Sequence, residues 1–172
     1  MSAGGSPSGR IQRRMRRTVG ISVALGVCGI AAFVFLKFAA EGAVEQTHLE
    51  RGFVELDLAL AGDAERWTPA QEHFHRAAGR SMFDPYPIYC VATTGRLAEL
   101  KVAPGTVQEP PQSLGDVDQL LRSGHRPEAR AALLDLAARL DGDARLQATL
   151  FVRLLTDLEL AERRRLAAVE AP

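Results

Sequence analysis

Few side chains in this chain could do chemistry: four histidines, two cysteines and one knot of aromatic residues. His73 and His75 flank Phe74 in "EHFH". Residues two apart on a helix point to nearly opposite sides, so this pair cannot grip one metal ion. Shared ligation on a helix needs i, i+4 spacing, which no pair of His or Cys provides. His48, His73, His75 and His125 therefore read as solvent-facing helix residues. Cys90, in "YCV", has apolar neighbours that should raise its thiol pKa and leave it inert. Cys28 lies in a long apolar run and reads as a small apolar residue, and the two cysteines are too far apart to form a disulfide framework. Glycine-rich phosphate loops and nucleophile elbows are absent from the sequence. The expectation is a non-enzyme with no catalytic residue, metal or cofactor.

The aromatic knot is "SMFDPYPIY", residues 81–89. Met82, Phe83, Tyr86 and Tyr89 gather there around two prolines. One reading is a groove that anchors a partner protein, since aromatic side chains make good interface anchors. The other is a corner between helices that fills the core.

The elements that must position these residues begin with an anchor. Arg10, Arg13, Arg14, Arg16 and Arg17 precede Thr18–Leu36, 19 residues without a charge. As a helix this run rises roughly 28 Å, close to the thickness of a hydrocarbon core, and Lys37 can reach the interface. It is longer than the apolar core of a cleavable signal, and "KFAAEG" puts bulky Phe38 where a small residue should stand. The expectation is an uncleaved transmembrane anchor at 18–37 behind a basic cytoplasmic head at 1–17. The arginines set the topology, with the body outside the cytoplasm. An Arg-rich, Lys-poor, Ala-Leu-rich composition points to the bacterial inner membrane and periplasm; the mitochondrial inner membrane is the alternative. Gly20, Ala24, Cys28 and Ala32 recur every four residues and form a smooth stripe that suits helix packing in lipid. That stripe raises the expectation of an oligomer or complex formed through the anchor.

The body is acidic. Residues 1–37 hold six of the 21 bases and none of the 21 acids, so the remainder carries a balance of −6. No basic stripe is left to neutralise phosphates, which argues against a nucleic-acid partner. No stretch alternates with period two for long, and helix punctuation is frequent, so the fold class is all-α. A first helix should end near Gly62. "TPAQ" at 68–71 offers Thr68 as N-cap, Pro69 at the first helical position and Gln71 reaching back. Asp84-Pro85 should open a third helix with Ile88, Tyr89, Val91 and Leu97 inward. "VAPGTVQEPPQ" at 102–112 reads as a linker between helical units at 38–101 and 113–172. Ser113 should cap a short helix closed by Gly124, Pro127 should open the next, and "LDGD" should separate it from a last helix. That last helix carries the stripe Leu146, Leu150, Phe151, Leu154, Leu155 and Leu158 and ends near Ala168, with Arg163, Arg164 and Arg165 complementing its dipole.

Two stretches look alike. Gly124, Ala129, Leu133 and Leu136 stand where a tetratricopeptide-type repeat has its turn glycine, its packing alanine and two packing residues; Gly62, Ala70, Phe74 and Ala77 follow the same order with three residues inserted. The chain resembles membrane-tethered tetratricopeptide-like proteins over about residues 50–160. The resemblance implies helical hairpins and an accessory role in binding other proteins, as in secretion or envelope assembly. A structural accessory subunit, held in a larger complex through its transmembrane helix, is the alternative. Repeats of this kind need at least three units to bury their faces. With only two visible, something else must cover the ends.

Overall fold

The computed structural model describes residues 7–81, 84–101 and 111–170, with side chains from Gly26 to Val169. All regular structure among the described residues is helical: α1 (Pro7–Leu60), α2 (Trp67–Ala78), α3 (Tyr86–Glu99), α4 (Leu114–Arg122), α5 (Arg126–Arg139) and α6 (Gly142–Glu170). The chain divides into two compact units, Met1–Glu41 and Gly42–Pro172.

In the first unit every side chain from Gly26 to Ala40 is exposed. Ile30, Phe33 and Phe35 each expose about 70% of their surface. A helix apolar around its whole circumference has no inward face to bury in water, which is what a lipid-facing segment requires. Among the described residues this is the one helix near the N-terminus long and apolar enough to cross a membrane.

The second unit has a single core. The last turns of α1 contribute Leu49, Phe53, Leu56 and Ala59, an inward stripe at helical spacing. Ala70, Phe74 and Ala77 of α2, Tyr86, Cys90 and Leu97 of α3, Val117 and Leu121 of α4, Ala129, Leu133 and Leu136 of α5, and Phe151, Leu154 and Leu158 of α6 join it. The units expected at 38–101 and 113–172 thus share one core; residues 102–110 of the expected linker lie outside the described residues. α1 ends in a reversal at Gly62, where φ is +116° and the amides of Gly62 and Asp63 return to Ala59 and Leu58. α4 ends the same way at Gly124, with φ +85°. Left-handed backbone favours glycine at both places. Ser113 caps α4: its hydroxyl accepts from the Asp116 amide at 3.2 Å, and the Asp116 carboxylate accepts from the Ser113 amide at 2.9 Å.

Four expectations need correction. Thr68 is not a cap, because α2 already begins at Trp67, behind a 3-10 turn over Ala64–Arg66. Asp63 caps that turn by accepting from the Glu65 amide, and burial of Trp67 draws the helix start forward. Ile88 is 60% exposed; the inward side of α3 follows Tyr86, Cys90, Thr93 and Leu97, and a residue two beyond Tyr86 lies about 200° round the helix. Leu146 is likewise exposed, two residues before Ala148, the first buried residue of α6. Finally, α6 runs on to Glu170, so Arg163–Arg165 do not form its last turn. Arg164 pairs with Glu50, and Arg165 with Asp57.

Candidate functional site

Tyr86 lies at the centre of the aromatic knot, fully buried. Its hydroxyl donates to Asp157 Oδ2 at 2.6 Å, its amide donates to Asp84 Oδ1 at 2.9 Å, and its ring stacks on Phe53 at 6.3 Å. Arg153 lies over the ring, 3.8 Å from its centroid, and pairs with Asp84 at 3.1 Å. Burial pushes the phenol pKa upward, helped by Cys90 and by the acceptor Asp157. The Tyr86 ring is therefore core rather than groove, as the helix-corner reading requires. Tyr89 is half-buried and tilted against Phe151 at 6.3 Å. Met82 and Phe83 lie outside the described residues. Burial also pushes the Cys90 thiol well above its ordinary value, the inert setting its apolar neighbours suggested.

Of the anchor stripe, Cys28 and Ala32 are exposed. Gly20, Ala24 and the five topology arginines lie on α1 but before Gly26, where the description of side chains begins.

A cleft of about 710 Å³ lies between α1 and α6. Leu49 and Phe53 form its buried floor, and Val54 and Leu160 stand more exposed beside them. Charges of both signs rim it: Glu50 and Arg51 on α1, Arg153, Asp157 and Arg164 on α6. The Glu50–Arg164 pair, at 3.3 Å, bridges its two sides. An apolar floor with a rim of mixed charge suits an amphipathic peptide better than a small anion or cation. Among the described residues no group of three or more His, Cys, Asp or Glu is placed to hold a metal ion.

Two arrangements escaped the sequence reading. Asp57, 1% exposed, accepts from Arg126 of α5 at 2.7 Å and from Arg165 of α6 at 2.8 Å, and Arg126 also reaches Glu162 at 2.8 Å. A carboxylate set inside the apolar stripe "FVELDLAL" was the available signal, since a buried charge demands a partner. His48 of α1 and His73 of α2 meet with their Nδ1 atoms 3.3 Å apart. Neither is the solvent-facing residue its own helix suggested, and nothing local in the sequence announces a pair 25 positions apart. On α4, burial raises the Asp118 carboxyl pKa against the opposing pull of Arg96 at 3.2 Å.

Compared with protein-family models, curated proteins and solved structures, the chain matches none.

Proposed function

We propose that this protein is a single-pass, membrane-anchored helical adaptor without enzymatic activity. Its body lies outside the cytoplasm, in the bacterial periplasm, and receives an amphipathic helical segment of another protein. The observation that carries this reading is the cleft between α1 and α6, with Leu49 and Phe53 beneath and a rim of both charges. Helix-in-groove recognition uses such a floor for affinity and such a rim for register. A tetratricopeptide-like organisation is part of the same proposal: Ala70, Phe74 and Ala77 in one hairpin, and Ala129, Leu133 and Leu136 in the other, are buried as packing residues of that repeat would be.

The test is affinity isolation of the full-length protein from membranes in mild detergent, with variants on each candidate surface. Val54→Asp and Leu160→Asp, at positions exposed by 36% and 45%, should abolish capture of the partner while leaving the helical circular dichroism unchanged. Gly20→Leu with Ala24→Leu in the anchor should leave capture intact. The reverse pattern would refute the adaptor and favour a structural subunit held through its membrane helix.

A further inference from the structure

We infer that the His48–His73 contact is a proton-operated latch between α1 and α2, closed while at least one ring is neutral and released when both are charged. The contact joins two ring nitrogens, Nδ1 to Nδ1, at 3.3 Å. Such an approach holds only if one Nδ1 carries a hydrogen and the other presents its lone pair. When both rings are imidazolium, two N–H groups and two positive charges meet head on.

The surroundings give only partial relief: Glu55 and Glu72 favour a charged His73, but burial and the arginines outweigh them. On α1 the neighbours are Arg51 and Glu55; on α2 they are Glu72 and Arg76; Arg80 follows α2. The two acids are engaged, Glu55 by Arg66 at 3.1 Å and Glu72 by Arg76 at 3.3 Å. α6 brings Arg153, Asp157 and Arg164 to the cleft that His73 also lines. There Asp157 accepts from Tyr86, Arg153 pairs with Asp84 and Arg164 pairs with Glu50. Both imidazole pKa values are held below the ordinary histidine value, first by burial; Arg76 and Arg51 add to this, and for His48 so does His73. The linkage has a definite sign. Well above the ordinary histidine pKa of about 6.5 both rings are neutral, folded or unfolded, and the contact is intact. As pH falls below that value the open form takes up protons first, so the contact loses stability through the folded pKa values. The other histidines lack this geometry: His75 is exposed, and His125 Nδ1 lies 3.0 Å from the Ser123 hydroxyl.

Hydrogen exchange of the full-length protein in detergent micelles tests the latch, read as protection factors at pH 7.5 and pH 5.0. Amides of residues 48–56 and 67–78 should lose protection by about tenfold or more at the lower pH, relative to α5 and α6. His48→Gln with His73→Gln removes both titrating groups and should abolish that selective loss. His75→Gln and His125→Gln should retain it. Equal protection at both pH values would overturn the proposal. So would a loss spread evenly over all helices, or one that persists in the His48/His73 double variant.

Discussion

Gly52 stands where α1 approaches α2 too closely for any side chain. A Cβ built there would lie 2.6, 2.8 and 3.0 Å from three carbons of the Phe74 ring. Phe74 is fully buried and packs edge-on against Phe53 at 5.1 Å, so moving its ring disturbs the core. Two effects oppose each other in Gly52→Ala. Replacing glycine inside a helix gains about 1 kcal/mol of propensity. Restoring ordinary contact requires moving the ring or the helices by roughly 0.8 Å, and overpacking of this kind costs about 1–3 kcal/mol. The clash should win, leaving the variant on the order of 1–2 kcal/mol less stable. Gly42, on the same helix, has nothing within 4 Å of its Cβ position, so Gly42→Ala should stabilise by up to about 1 kcal/mol. Urea unfolding followed through Trp67, the only tryptophan and a buried one, reads both variants. Phe74→Leu should rescue Gly52→Ala in a double-mutant cycle. If Gly52→Ala is as stabilising as Gly42→Ala, the close packing of α1 on α2 is wrong.

Leu133→Asp places a charge at a fully buried position of α5 and should cost several kcal/mol, lowering the urea midpoint sharply or abolishing cooperative unfolding; an unchanged midpoint would remove Leu133 from the core. Tyr86→Phe keeps the ring but strips Asp157 of its 2.6 Å donor, with an expected loss of about 1–3 kcal/mol in the same assay, whereas a groove-facing tyrosine would change stability little. A reporter active only outside the cytoplasm, fused after Pro172, should give signal, and the mature chain should keep its N-terminal arginines; a mature N-terminus near Glu41 would contradict an uncleaved anchor.

What the sequence made legible was local. Gly62 and Gly124 end helices because only a left-handed backbone closes those turns, and Ser113 caps α4 through atoms three residues away. Both devices are complete within a few positions, so both can be read from the sequence. The errors arose where distant residues decide. Thr68 has the right type for a cap, yet the buried indole of Trp67 and the Asp63 turn before it put the helix start earlier. The inward face of α3 depends on Tyr86 reaching Asp157, 71 positions away, and that leaves Ile88 in solvent. Arg163–Arg165 look like a helix end until Arg165 is seen to pair with Asp57 across 108 positions. The aromatic knot was visible as a cluster, but the pattern around it could not say which ring points inward.

The same long-range pairs bear on how α1 is held in register against the rest of the second unit. Leu49, Phe53, Leu56 and Ala59 of α1 pack into the shared core, which α6 joins as far as Leu158 and Ala161. Apolar contact alone would let α1 slide along it, since Leu and Phe stripes at helical spacing repeat every turn. Asp57 removes that freedom. Its two oxygens are taken by Arg126 and Arg165, from two different helices, so a shift of one turn would leave a buried carboxylate bare. Breaking such a pair by removing one partner typically costs about 3–5 kcal/mol, whereas replacing the whole set with apolar residues can be nearly neutral. The network therefore contributes register more than net stability. Asp57→Ala should lower the urea midpoint markedly, and Asp57→Leu combined with Arg126→Leu and Arg165→Leu should recover much of the loss. The triple variant should nonetheless show broadened methyl resonances at the α1–α6 contact, as alternative registers become populated. Sharp, wild-type-like resonances in that variant would show that packing alone fixes the register and would leave the ion network without this role.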